Sequence, residues 1–374
     1  SDLVSQGVVP GIGGIMIFVP QIALLFFFIA ILEESGYLAR VVFIMDRLMR
    51  PLGLNGKSVV PLLSSVACAI PGVMAARTIS DWKERLITIM VAPLMSCSAR
   101  IPVYTLLIAL VIPEEKIFGF MNLQGLVLFG LYALGLISAL LIAWVMKLII
   151  ASKEKGFLLL ELPGYKMPMW NNVGLTVWEK VKVFVVDAGK VILAISIILW
   201  AMATFGPGDR MEKAGIKAAG QAKTLNLSQE DTDRIVAAAE LENSYIGIVG
   251  KTIEPVIKPL GYDWKVGISL ITSFAAREVF VGSLATIYAV QDDGGENRRL
   301  IDRMKAEKHP DGSPVYTLAM GLSLMIYYVF AMQCMSTLAV VKRETKTWKW
   351  PLIQVLYMGV IAYISAFAVF QFMS

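Results

Sequence analysis

Tyr37–Ser65, YLARVVFIMDRLMRPLGLNGKSVVPLLSS, is answered 208 positions later by Tyr245–Ser273, YIGIVGKTIEPVIKPLGYDWKVGISLITS. The copies share a leading tyrosine, an acid (Asp46, Glu254), a base (Arg50, Lys258), Pro-Leu-Gly, a lysine (Lys57, Lys265) and a run of small polar and apolar residues. Each reads as an amphipathic segment feeding an interrupted hydrophobic one. A second echo sets Pro93-Leu-Met-Ser-Cys97-Ser98-Ala99 against Phe330-Ala-Met-Gln-Cys334-Met335-Ser336. The shared Pro-Leu-Gly register favours internal duplication over chance similarity of apolar stretches. Paired, interrupted hydrophobic segments in corresponding halves are also the sequence mark of a membrane binding site.

With 57% apolar residues, a mean hydropathy of +0.67 and 17% charged residues, the chain cannot cover itself with polar surface in water. It reads as a polytopic membrane protein whose first partner is the lipid bilayer. Ile15–Leu32, Ile117–Met146, Val191–Phe205, Tyr316–Val341 and Leu352–Met373 carry no charge, and Leu86–Pro113 carries only Arg100; most approach the roughly 20 residues that cross hydrocarbon. The net charge of +5 lacks the basic stripe interleaved with aromatics that nucleic acid requires, so no nucleic-acid partner is expected. Cys68, Cys97 and Cys334 all lie in apolar segments, which excludes a secreted disulfide framework.

Two stretches decide the topology. Ser58–Ala76 is long enough to span, yet Pro61, Ser64, Ser65, Pro71 and Gly72 interrupt it; Val266–Val290 carries Arg277 and Glu278 at its middle. Both are poor lipid-facing spans and are predicted to be re-entrant hairpins. Three crossings then separate the start of one repeat from the start of the other, and an odd number inverts them. Six crossings follow. Basic residues crowd three loops: Arg40 to Arg85 around the first hairpin, Lys147 to Lys182 in the middle, and Lys342 to Lys349. These are predicted to be cytoplasmic, with both ends of the chain outside. The 208–244 insert reads as a surface helix pair with an N-cap at Ser228. Gly56-Lys57-Ser58 is no phosphate loop, because Pro51 stands where its first glycine belongs.

The residues with chemistry to offer are soft, polar and placed at helix breaks. Cys68 lies three residues before Pro71, whose missing N–H is expected to leave carbonyls for a ligand. Cys97, flanked by Ser96 and Ser98 with Met95 beside them, has Cys334 as its counterpart. Thiolates and thioethers favour Fe(II), Cu(I) and Zn(II) over magnesium or calcium. A single buried cysteine is ordinarily a packing residue; three at breaks, two of them at matching repeat positions, favour a metal path. Weak, transient ligation suits an ion that must also leave. The only histidine, His309, lies in a charged loop, which excludes an imidazole-rich site. Glu278 is either paired with Arg277 or a cation ligand. Arg100 is either a counter-ion or a carbonyl cap. Glu33 and Glu34 end the first span and offer a cytoplasmic exit, against the plainer reading of interfacial carboxylates.

The runs Glu33-Glu34-Ser35-Gly36-Tyr37-Leu38-Ala39-Arg40, Met45-Asp46-Arg47-Leu48-Met49, Cys68-Ala69-Ile70-Pro71, Ala92–Tyr104, Glu161-Leu162-Pro163 and Val341-Lys342-Arg343-Glu344-Thr345 together resemble the membrane domain of the FeoB ferrous-iron transporter family. The resemblance covers essentially the whole chain. It implies an all-α membrane fold with two inverted Gate repeats, each an interfacial helix, a re-entrant hairpin and a broken helix, resembling nucleoside transporters. The expected division is 1–116 for the first Gate repeat, 117–187 for a connecting transmembrane helix and cytoplasmic loop, 188–350 for the second Gate repeat, and 351–374 for a last transmembrane helix. The resemblance further implies inward transport of Fe2+ across a bacterial inner membrane, with Cys68, Cys97 and Cys334 in the ion path, and small soluble regulators of the FeoA type as partners. The family's GTP-binding domain and first membrane helix have no counterpart here. GTP and Mg2+ would therefore act only through that domain, in cis or as a separate chain, and this chain is expected to be no enzyme and to hold no cofactor. Whether the pore lies in one protomer or in a homo-oligomer is left open. The competing expectations are a nucleoside or other small-solute carrier, for which the breaks offer few amides beyond Gln333 and Gln21, and a Gate-type assembly scaffold that transports nothing.

Overall fold

The computed structural model describes residues 9–52, 54–117, 121–150, 164–207, 210–224, 229–274, 277, 279–288, 296–307 and 314–374. Helix α1 (Val9–Glu34) ends at Gly36, whose φ of 78° permits the 86° turn into α2 (Tyr37–Met49). One side of α2 buries Val42, Asp46 and Met49, while Phe43, Ile44 and Leu48 are exposed beside Arg47. That arrangement suits a helix lying in the lipid boundary. Gly56–Ser58 forms a 3-10 turn against α2, and the Gly56 N–H donates to Asp46 Oδ1 at 2.9 Å. A carboxylate thus occupies the place of a phosphate, which disposes of the nucleotide-loop reading.

The first hairpin is α3 (Val59–Ala67) and α4 (Ala69–Ala75), reversing at Cys68 in extended conformation. The arms meet so closely that a Cβ on Gly72 would stand 1.9 Å from Ser65 Oγ. Pro71 falls in the first turn of α4, where a helix loses nothing by a missing N–H; the expectation that it frees carbonyls is corrected accordingly. A broken helix follows: α5 (Trp82–Val91), a non-helical interruption through Ala92–Arg100 with two 3-10 turns, and α6 (Ile101–Val111). Strands β1 (Lys116–Ile117) and β2 (Met121–Asn122) pair antiparallel before α7 (Leu123–Ile149). The span expected from Ile117 therefore starts at Leu123, where Asn122 caps the Gln124 N–H.

A larger correction concerns the middle loop. The helix containing Val191–Phe205 begins at Trp170: α8 (Trp170–Val183) runs through a π turn at Phe184–Ala188 into α9 (Gly189–Thr204). Val173 and Phe184 are buried, and Val177, Val181 and Phe184 pack against the cluster that holds Ile22 and Phe26 of α1. Spacing of three and four residues makes this one helical face, hidden in the sequence by charges on the other. Lys180 and Lys182, expected in a loop, are helical.

The second half repeats the first. The insert helices α10 (Arg210–Thr224) and α11 (Gln229–Glu242) pack as the expected pair, and Ser228 lies outside the described residues. The insert closes at its base, because the Tyr245 N–H donates to Phe205 O at 3.0 Å. Then come α12 (Tyr245–Ile257), 13 residues long like α2 and ending in a 3-10 turn as α2 does, and the hairpin α13 (Trp264–Ser273) and α14 (Val279–Ile287). Thr272 and Ser283 hydroxyls bond across that hairpin at 2.7 Å. After α15 (Glu296–Ala306), α16 (Leu318–Phe330) breaks at Ala331–Cys334 before α17 (Met335–Thr345), and α18 (Lys349–Met373) ends the chain.

The halves interlock reciprocally. Arm α4 of the first hairpin packs on α17, the distal part of the second broken helix; arm α14 packs on α6, the distal part of the first. Arg77 adds a two-pronged bond to Glu344 at 2.5 and 2.6 Å, joining the end of the first hairpin to α17. Among the described residues, Trp82–Val111, Leu123–Ile149, Leu318–Thr345 and Lys349–Met373 are long and apolar enough to cross a membrane, and the bent α1–α2 pair makes a fifth. The chain is an all-α multi-pass membrane fold of two repeats.

Candidate functional site

All three cysteines occupy one kind of position. Cys68, Cys97 and Cys334 are extended residues at the N-terminal cap of α4, of the 3-10 turn leading into α6, and of α17, and the Cys334 thiol is hydrogen-bonded at Thr337. Each sulfur therefore stands at the start of a helical turn, where negative charge is favoured. All are partly exposed, and no disulfide joins them.

Cross-connections draw two of these caps together. In each half the residue after the break cysteine donates to a hairpin-tip carbonyl: Ser98 Oγ to Ala67 O at 2.9 Å, and Met335 N to Phe274 O at 3.1 Å. Arg277, on the second hairpin, then bridges the halves. Its Nη1 approaches Cys97 Sγ at 3.8 Å and its Nη2 donates to Ala331 O at 3.1 Å. Cys334 ends the same break, Ala331–Cys334, whose first carbonyl Arg277 holds. The two breaks that carry Cys97 and Cys334 thus meet at one guanidinium.

The remaining candidates divide. Arg100, fully buried, donates to Ser96 Oγ at 2.9 Å, Pro93 O at 3.3 Å and Leu94 O at 3.4 Å. Of its two sequence readings it fulfils the carbonyl cap, occupying the Pro93 and Leu94 carbonyls. Ser96 is held by Arg100, Ser98 by the hairpin, and Met95 is packed in the main apolar core. Cys68 packs with Ile70, Val73 and Phe26 in a separate core, one residue from the Ala67 carbonyl that Ser98 holds. Glu33 is exposed at the α1–α2 corner and Glu34 accepts from Asn172 Nδ2 at 3.1 Å. They stand seven and eight residues past Phe26, about 11–12 Å along α1. Glu278, with both of its readings, and His309 lie outside the described residues. Among the described residues no three His, Cys, Asp or Glu side chains gather as a metal cage.

The sequence reading missed two tyrosines. Tyr132 of α7 donates to Cys97 O at 3.4 Å, and Tyr104, fully buried beside Ser96, stacks edge-on to Tyr132 at 6.2 Å. Their signal was available, since a hydroxyl midway along an apolar span needs a partner. A crevice of about 700 Å³ between α1, α3, α6 and α7 reaches Ser98 and Tyr132; its other lining is Ala67, Gly125 and large apolar side chains such as Leu63 and Phe129, both exposed. Such walls suit acyl chains rather than an ion.

Comparison with known proteins agrees with this architecture. The Gate family, described as Nucleoside recognition, matches residues 15–110 and 185–348, and a family described as Ferrous iron transport protein B C terminus matches residues 128–180. The Fe(2+) transporter FeoB of Leptospira biflexa serovar Patoc is 47% identical over 99% of this chain and 50% of its own length. The FeoB of Staphylococcus aureus strain MSSA476 is 36% identical over 99% of this chain and 49% of its own length. A fusion named Fe(2+) transport protein A/Fe(2+) transporter FeoB, from Porphyromonas gingivalis, is 37% identical over 99% of this chain and 44% of its own length. This chain therefore spans about half the length of the curated relatives it matches. No solved structure matches it. Two interlocked halves of interfacial helix, hairpin and broken helix, matched by the Gate model over both, make this chain a multi-pass inner-membrane member of the Gate family, similar throughout to the membrane half of the FeoB transporters.

Proposed function

We propose that this chain is the permease half of an Fe(II) importer and that the ion passes the two helix breaks at Cys97 and Cys334. The observation that carries the reading is the meeting of their breaks: Arg277 reaches Cys97 in one and the Ala331 carbonyl in the other, with Cys334 ending that second break. Sulfur with carbonyl oxygen is a donor set that a borderline divalent ion can enter and leave. Cys68 then serves the next step and Glu33 and Glu34 the exit, since α1 leads from the core that packs Cys68 to the carboxylates. In this reading Fe(II) is cargo, and the chain itself catalyses no reaction. Its expected partners are a GTP-binding domain and a FeoA-type regulator; the fusion found in Porphyromonas gingivalis supports the latter.

The test is anaerobic uptake of radiolabelled Fe(II) by cells lacking their own importer. Cys97→Ser and Cys334→Ser are each expected to cut uptake by at least about tenfold at unchanged membrane expression, as loss of a thiolate ligand weakens a soft site. Persistence of uptake in both would move the path to the carbonyls of the breaks. A nucleoside carrier is the second reading, favoured by the description of the Gate family and by Gln333, whose Oε1 is buried without a partner beside Tyr328. Saturable uptake of radiolabelled nucleoside, insensitive to both cysteine substitutions, would establish it instead.

A further inference from the structure

Arg277 stands between the two helix breaks that the permease reading places on the ion path. It is 4% exposed, and among the described residues no carboxylate pairs with it. Its partners are a thiol and a peptide carbonyl from opposite broken helices, and its Nε, like that of Arg100, is buried without a hydrogen-bond partner among the described residues. A charge so placed is costly unless the surroundings are built to receive one. These surroundings offer the soft sulfur and the carbonyl oxygen that a divalent ion would use.

The contrast with Arg100 sharpens the point. Arg100 spends its donors on Pro93, Leu94 and Ser96, all within its own break, and so fixes that break internally. Among the described residues Arg277 caps no carbonyl of its own segment. It reaches from the segment between α13 and α14 to both breaks at once, and a shift of that hairpin would withdraw it from both together.

We propose that Arg277 is a tethered cation that plugs the path: its guanidinium holds Cys97 and Ala331 in the closed arrangement, and Fe(II) competes for the same acceptors once the second hairpin withdraws. The proposal rests on the permease reading above but is tested separately from it. The intact protein is reconstituted anaerobically in liposomes containing an indicator quenched by Fe(II), without nucleotide. Arg277→Ala is expected to leak Fe(II) at least about tenfold faster than wild type, the size of change that a modest shift in a closed-to-open balance produces. Added guanidinium ion, at a sub-denaturing concentration, is expected to refill the vacated space and suppress the leak, and urea, similar in shape but neutral, is not. Modification of Cys97 by a cationic thiol reagent is expected to accelerate in the same variant and to slow again with guanidinium. No leak, or a leak indifferent to guanidinium, would overturn the proposal. Should Arg277→Ala fail to fold, Arg277→Lys carries the test, because an ammonium on a single stem cannot hold both acceptors as the guanidinium fork does; wild-type rates of leak and of Cys97 modification in that variant would refute the plug. Loss of uptake in the cysteine variants with no leak at Arg277 would sink the plug alone. Undiminished uptake in the cysteine variants, with a guanidinium-sensitive leak at Arg277→Ala, would keep the plug and discard the cysteine path.

Discussion

Single residues set the tolerances of this fold. Gly72 is where the arms of the first hairpin touch, with Ser65 Oγ at 1.9 Å and Pro61 O at 2.6 Å from an added Cβ. Gly72→Ala is expected to cost about 1–3 kcal/mol, the range for overpacking, and to lower the unfolding temperature of the detergent-solubilised protein. Gly130, exposed in the middle of α7 with nothing within 4 Å, is its control: Gly130→Ala is expected to be neutral or to gain up to about 1 kcal/mol from helix propensity. Asp263, whose carboxylate caps the Val266 N–H at the mouth of the second hairpin, carries a pH dependence. Burial raises its pKa above the ordinary aspartate value, against the lowering effect of that N–H bond. The folded state therefore binds the proton more tightly than the unfolded one, and this contribution, full at low pH, is lost as pH rises through the raised pKa. Asp263→Asn keeps a capping oxygen and removes the proton. It is expected to match wild type in acid and exceed it at neutral pH in thermal unfolding across a pH series.

At the scale of elements, the hairpins and broken helices are legible in the sequence because their interruptions are local. Pro61, Pro71 and Gly72 in one stretch, or Pro93 before Cys97, mark where a helix stops or crowds regardless of what lies across from it. What the elements do to one another is not local. Arg100 lies six and seven residues from the carbonyls it caps, and its role was within reach of sequence reasoning; Arg277 is 180 positions from Cys97 and 54 from Ala331, and only folding selects those partners. The α8 segment was hidden for a different reason: its face of Val173, Val177, Val181 and Phe184 is interleaved with charges, so mean hydropathy conceals it and only a period of 3.6 reveals it. Between elements, the Arg77–Glu344 bond is the clearest link from first hairpin to α17. Arg77 is more than half exposed, so a double-mutant cycle with Arg77→Ala and Glu344→Ala is expected to give a coupling of only about 0.5–1 kcal/mol. That coupling should shrink with added salt; a value unchanged by salt would show that the bond is shielded from water.

For the whole molecule, the duplicated sequence makes a directional prediction. With the three native cysteines replaced, Lys217→Cys on α10 is expected to react with a membrane-impermeant thiol reagent applied outside intact cells, and Lys349→Cys at the start of α18 only after permeabilisation. The opposite pattern would reverse the orientation drawn from loop charge. The sequence by itself determined that this chain lives in a membrane, that it is built twice, and that its cysteines sit at helix breaks. Composition, periodicity and proline placement act within a few residues and survive without tertiary context. Only the tertiary structure decided which breaks meet, that α4 lies on α17 and α14 on α6, and that the Arg277 guanidinium reaches both breaks. Those outcomes depend on contacts between segments far apart in the chain, chosen by how the two repeats bury their apolar faces together and not by any property that a short stretch carries alone.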